Sequence, residues 1–293
     1  MELLPSIRLA LIHPVEAERA AWASRLHRTT IAQFDYIAQF TGQAPESDLV
    51  VLSASHDPKI VLDLLAAKLH VLLVADRVPS RVVLESLYAA TGVQLAVVNP
   101  DRYLPSRQLI RRQVGTTLGE PGLIRSHRWI PISTLNESEF TDLLLRDLDS
   151  TLWLAGRLPD RVFALESKDD GSLGRYLQVH LGFPGGGMAL LDLTGRLPPG
   201  DGYASLSVIA ATGAAYADDH HNMQLVYRGN RPQALRTDEQ SRQYAAMAQE
   251  AIDGITLKRD CSSGLTDWRN AWNVADAVER SIKTGQAVAP GGD

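Results

Sequence analysis

The sequence predicts an α/β protein in two parts, an N-terminal Rossmann-type domain and a C-terminal α+β domain with an open, mostly antiparallel sheet. Three observations predict it. The chain has 293 residues, enough to bury two ordinary cores. Near-continuous apolar runs alternate with helical patterns up to Pro121, as in parallel sheets covered on both faces. Beyond it, shorter segments alternate in polarity and are punctuated by glycine and proline, as antiparallel connections require.

The elements follow in order. Residues 7–12 (IRLALI) form a buried strand, and after Pro14 the apolar spacing of residues 16–26 is helical. Residues 48–53 and 70–75 repeat the buried-strand pattern, with a helix between them that opens on Pro58, since proline suits the first helical turn. A helix over 80–91 and a strand over 94–98 complete the first domain, residues 1–122. The second, residues 123–293, holds a strand at 123–131, an amphipathic helix at 139–156, and strands at 161–165, 175–181, 188–193, 204–210 and 223–227. A last helix over 267–284 stops at Gly285 with Lys283 in its final turn.

Composition narrows the function. Net charge is −5, and no Lys/Arg block is interleaved with aromatics, so nucleic acid is not an expected partner. The densest basic stretch, residues 107–112, reads as the solvated face of a helix. No apolar run approaches the roughly 18 residues of a membrane span, and residues 1–8 hold no secretory core. With Cys261 as its one cysteine the chain has neither an internal disulfide nor a thiolate metal site, and a cytoplasmic address is expected.

Several strings in this order resemble the Gfo/Idh/MocA family of glucose-fructose oxidoreductases and inositol dehydrogenases. Asp48-Leu-Val-Val-Leu52 resembles the strand ending beside the nicotinamide, and His70-Val-Leu72 its KHVL strand. Residues 99–105 (NPDRYLP) are similar to R-F/Y-x-P, residues 118–121 (LGEP) to the IGxP hinge, and 142–156 to DxGxHxxDxxxWLxG. Residues 267–288 are similar to the closing helix. The likeness covers nearly the whole chain and implies NAD(P)-dependent oxidoreductase ancestry.

Three departures count against the ancestral chemistry. The family's first strand feeds a glycine-rich turn, because pyrophosphate must approach backbone N–H groups unobstructed. Here the turn reads His13, Pro14, Val15, Glu16, with no glycine, one donor removed and a carboxylate where phosphates would lie. Asp35, at about the distance of a ribose-binding acid, has no such loop to support it and reads as a turn residue. The family's EKP, whose lysine assists proton transfer, is matched by Val74, Ala75 and Asp76, with Ala75 at the lysine; a local insertion would bring Arg77 there, a poor general acid or base. The family's histidine is matched by Arg146, between the retained carboxylates Asp142 and Asp149 on one helix face. That trio is either an arginine bridging two carboxylates or a remodelled pocket. If the family's cleft survives, Arg146, Arg102 and Arg77 converge in it and favour a small anionic ligand.

Other motifs have plainer uses. Asp218-Asp-His-His221 reads as a polar hairpin rather than a metal site, because adjacent strand residues face opposite ways. His56, just past a strand end, is a cleft candidate, although Ser55 or Asp57 ahead of Pro58 reads as a helix cap. Gly185-Gly-Gly187 precedes no helix and is not a phosphate loop, and Cys261 reads as a loop residue. The expectation is therefore a degenerate, pseudoenzyme-like relative with no metal and no cofactor. It would act as a binding, regulatory or assembly subunit, as a homo-oligomer or with a paralogous subunit through the second-domain sheet. The alternative is an NAD(P)-dependent oxidoreductase with an atypical cofactor loop.

Overall fold

A computed structural model describes residues 6–12, 24–27, 29–34, 47–54, 57–88, 95–131, 136–167, 175–198, 200, 202–218, 223–228, 231–236, 241–259 and 263–291. The chain divides into two compact units. Unit 1 holds residues 1–104 and 239–269, and unit 2 holds 105–238 and 270–293.

Unit 1 is built on a parallel sheet of β1 (Ile7–Ile12), β2 (Thr29–Phe34), β3 (Leu49–Ser53), β4 (His70–Val74) and β5 (Leu95–Val98), in the order β2-β1-β3-β4-β5. Leu9, Leu11, Leu49, Val51, Leu72 and Val74 form one buried face. Helices α1 (Pro58–Ala66) and α2 (Arg81–Tyr88) follow β3 and β4. Asp57 caps α1, its carboxylate accepting the N–H of Lys59 at 2.9 Å, with Pro58 at a position where a missing donor costs nothing.

The buried face is covered by an element the sequence reading left unassigned. Helix α5 (Ser241–Thr256) lays Ala245, Ala248 and Ile252, spaced by three and four residues, with Met247 and Ala251 against the sheet. Helix α6 (Ser263–Thr284) begins four residues earlier than the periodicity suggests, and it begins against β5. The Trp268 indole N–H donates to the Val97 carbonyl at 3.1 Å. A Cβ on Gly264 would stand 2.3 Å from that same oxygen, so only glycine permits the approach.

Unit 2 carries eight strands, β6 (Pro121–Pro131), β7 (Arg161–Glu166), β8 (Tyr176–Gly182), β9 (Met188–Leu197), β10 (Tyr203–Ala210), β11 (Gly213–Asp218), β12 (Met223–Arg228) and β13 (Arg231–Arg236). Their order is β13-β12-β11-β10-β6-β9-β8-β7, antiparallel throughout except for the parallel pair β6–β9. The expected fold class holds, with β11 and β13 added. Helix α4 (Glu137–Ala155) packs on β6 and β9. An Asn136/Glu139 capping box starts it and Gly156, at φ 66°, ends it.

The compact units correct the boundary drawn at residue 122. Helix α3 (Pro105–Gln113) and the turn after it belong with the second sheet, because Thr212 N–H donates to Leu118 O at 3.0 Å and Ala211 N–H to Glu120 O at 3.2 Å. Residues 239–269 return to unit 1, where α5 buries its apolar stripe. Within α3, Arg112 is exposed as expected, but Arg107 is fully buried and Arg111 lies over the Trp153 ring at 5.7 Å, so the basic stretch is not one solvated face.

Gly264→Ala is expected to cost about 1–3 kcal/mol, the usual penalty of forcing added volume into a packed interior. A thermal melt followed by circular dichroism reads it as a lowered Tm; an unchanged Tm refutes the close approach of α6 to β5.

Candidate functional site

Open parallel sheets bind ligands outside the carboxyl ends of their strands, where the strand order reverses. In unit 1 the reversal falls at β1, between β2 and β3. His13, Pro14, Val15 and Glu16, which follow β1, lie outside the described residues, as do Asp35 and His56. The described part of this edge is made by β3, β4 and β5.

At the end of β4, Val74 and Ala75, two of the three positions matched to the EKP string, carry side chains that cannot exchange a proton. Val74 and Ala75 are buried, and the Ala75 N–H donates to Val98 O at 2.9 Å. Asp76 follows, with its carboxylate exposed. The hydroxyl of buried Ser53, at the end of β3, lies 2.7 Å from both of its oxygens, and the Arg77 N–H donates to Oδ1 at 2.9 Å. Arg77 is itself exposed. The sequence reading passed over Ser53; its signal was a hydroxyl closing an otherwise apolar strand, at the edge where ligands bind.

At β5 the candidate Arg102 is already engaged. It sits in the 3₁₀ turn Pro100–Tyr103, capped by Asn99, and its Nη1 donates to Asp267 Oδ2 at 2.8 Å. With only 16% of its side chain exposed, it is a structural ion pair of unit 1. Asp267 thus already supplies an anion to this guanidinium, which the sequence reading names as a cleft candidate.

Asp142, Arg146 and Asp149 lie on α4 in unit 2. Asp142 and Arg146 are half-buried, Asp149 is fully buried, and each has a polar or electrostatic partner. Asp147, beside Arg146, makes the strongest charged contact here. Arg128 on β6 donates to its two oxygens at 2.9 and 2.6 Å, a bidentate pair almost closed to solvent. Arg128 shares the inward parity of Ile124 and Ser126, a signal present in the sequence and unused.

Another charged cluster of unit 2 is centred on Arg175, which meets Glu137, Glu166 and Glu279 and lies 5.0 Å over the Phe140 ring. It joins the first turn of α4, the end of β7 and the last turns of α6. The sheet face opposite Arg128 carries Leu165, Met188 and Ile209, all about half exposed. Tyr203 and Tyr216 share that face with their hydroxyls 3.1 Å apart. That hydrogen bond, with partial burial, pushes the Tyr216 phenol up to about 12.

The glycine triplet forms the β8–β9 turn. Arg157 donates to the carbonyls of Pro184 and Gly186 at 3.2 and 2.7 Å, and a Cβ on Gly187 would meet its guanidinium at 2.8 Å. Asp218 ends β11, antiparallel to β12, as a hairpin requires, whereas residues 219–222 and Cys261 lie outside the described residues. Among the described residues no group of three or more His, Cys, Asp or Glu could hold a metal, and no helix is long and apolar enough to cross a membrane.

No protein-family model matches the chain, and no curated protein sequence does. Solved dehydrogenases do match its fold. UDP-N-acetylglucosamine 3-dehydrogenase GnnA from Acidithiobacillus ferrooxidans aligns with a TM-score of 0.75 at 17% identity, over 95% of this chain and 98% of that one. Myo-inositol 2-dehydrogenase from Lactobacillus plantarum gives 0.72 at 14% identity, over 97% and 99%. GenD2 from gentamicin A biosynthesis, solved in complex with NAD, gives 0.72 at 17%, over 99% and 97%. At these identities the likeness is one of fold, and this chain has the fold of those dehydrogenases along nearly all of its length, as the sequence strings imply.

Replacing Arg128 by leucine leaves Asp147 buried without its partner and is expected to cost about 3–5 kcal/mol. The double change Arg128→Leu with Asp147→Leu should recover much of this in urea unfolding. Equal losses in the single and double variants would show that the pair is not coupled.

Proposed function

We propose that this chain descends from the Gfo/Idh/MocA family, no longer transfers hydride, and serves as a binding, regulatory or assembly subunit. The observation that carries this is the end of β4, where buried Ala75 stands at the position matched to the family lysine and the next residue, Asp76, is tied to Ser53. General acid–base catalysis needs a titratable group within reach of the reacting proton. Arg146, at the position matched to the family histidine, stays protonated and is a poor substitute, though one suited to a small anion.

The partner in this reading is a second copy or a paralogous subunit, docked on the unit 2 sheet face that carries Leu165, Met188 and Ile209. Exposed apolar side chains on one sheet face favour association. A cytoplasmic location accompanies it. One observation favours the alternative of an NAD(P)-dependent oxidoreductase, namely the full-length fold likeness to a protein solved with NAD.

Calorimetric titration with NAD(H) and NADP(H), together with absorbance assays over a panel of polyols and sugar nucleotides, separates the two. No binding at about 100 µM dinucleotide and no turnover is the expected result. Micromolar affinity with turnover refutes this reading and establishes the alternative. The assembly reading is checked by analytical ultracentrifugation, in which Met188→Asp and Ile209→Asp are expected to dissociate an oligomer that the unaltered chain forms. A monomer at every concentration, with no paralogue bound, ends it.

A further inference from the structure

The solvent-facing side of the unit 2 sheet carries charge as well as exposed apolar side chains. Strand alternation turns Leu123, Arg125 and His127 of β6 outward, and the β6–β9 register sets them beside Met188, Leu190 and Asp192. Arg125 is exposed, and among the described residues it has neither a hydrogen bond nor an ion pair. Leu190 stands opposite it on β9 and Ser207 on β10, so no carboxylate faces it in register.

Asp192 is the matching anion. It is half-buried, and its Oδ1 is closed to solvent without a hydrogen-bond partner among the described residues. The χ2 torsion of an aspartate is broad and roughly two-fold, so turning that oxygen toward a donor arriving from outside costs little. His127, its neighbour in register, is engaged through Nδ1 with Ser205 Oγ at 3.3 Å. On β8, burial and the Asp192 charge push the Tyr176 phenol up, so that hydroxyl brings no counter-charge. Arg125 and Asp192 thus share one face on adjacent strands, two residues apart in register, with no ion pair between them.

We infer that this face is an isologous interface between two copies of the chain, in which Arg125 of each copy pairs with Asp192 of the other. On the assembly reading, on which this pairing rests, the occupant is a second copy and not a paralogue. Any partner that covers the face must supply an anion to Arg125, because a guanidinium buried without one is strongly destabilising. It must also supply a donor to Asp192. A two-fold axis makes one patch meet itself, so a single unpaired cation and a single unpaired anion are enough to form two pairs between the copies. With the axis along the strands between β6 and β9, β6 of one copy lies over β9 of the other. Met188 then falls on the other copy's Leu123, and Arg125 on the strand that carries Asp192.

The test is charge reversal, read by analytical ultracentrifugation of the full chain. The unaltered chain is expected to dimerise. Arg125→Asp and Asp192→Arg should each weaken the dimer at least about tenfold, because like charges then meet across the axis. An equimolar mixture of the two variants should regain the dimer, since one copy presents carboxylates at both positions and the other guanidinium groups at both. A pair formed within one chain gives the opposite result, because mixing leaves like charges together in every copy. Circular dichroism melts check that each variant folds. If Asp192→Arg melts early, Arg125→Met and Asp192→Asn replace the reversals, and their mixture regains one pair of the two. A monomeric unaltered chain at every concentration ends this proposal and the assembly reading together. A dimer that Met188→Asp breaks but both reversals leave intact, or one that the mixture does not regain, overturns the pairing and leaves the assembly reading standing.

Discussion

A parallel sheet has to be buried on both faces, and this requirement governs how the whole chain is laid out. The face made by Leu9, Leu11, Val51, Leu72 and Val74 is too apolar to meet water, and Leu26, between β1 and β2, packs against only part of it among the described residues. Its cover is α5, reached only after all eight strands of the other sheet have been made. Unit 1 is therefore discontinuous in sequence, with residues 105–238 of unit 2 between its two pieces. The glycine at 264 and the Trp268 indole follow from the same return, since α6 must start against β5 before it leaves unit 1.

Most strands were legible because their patterns are unambiguous. Four-residue to six-residue apolar runs such as those of β3 and β4 have no plausible exposed form, and β8 alternates along its whole length. The missed elements have weak signals for physical reasons. In α5 the buried stripe is largely alanine, which contributes little apolar contrast although it suits close packing against a sheet. In β11 the sequence GAAYAD is dominated by small residues, and in β13 the proline of RPQALR argues against a strand except at an edge, which is where it lies.

The candidate site was legible as positions and not as states. The sequence located the end of β4 and the middle of α4, and it identified Asp57 as a possible cap. It could not show that Arg102 is neutralised by Asp267, or that Arg107 is buried, because both depend on contacts between segments far apart in the chain. Ser53 and Asp76 are separated by 23 positions, and only the register of β3 on β4 brings them together. Arg128 and Asp147 are likewise joined by the packing of α4 on β6, so a pair that anchors the second sheet reads in the sequence as two ordinary surface charges.

The discontinuity of unit 1 sets the order in which the protein can be completed on the ribosome. Strands β1 to β5 emerge early but lack the packing of α5 until residues 241–256 have been synthesised, whereas the eight-stranded sheet has all its strands by residue 236. Domains fold as their residues become available, so the later-encoded unit has its strands in hand while the first still waits for α5. That interval is when nascent chains meet chaperones, and it makes an N-terminal fragment ending near residue 122 a poor candidate for separate expression. A circular permutant that brings α5 next to β5 would shorten the wait.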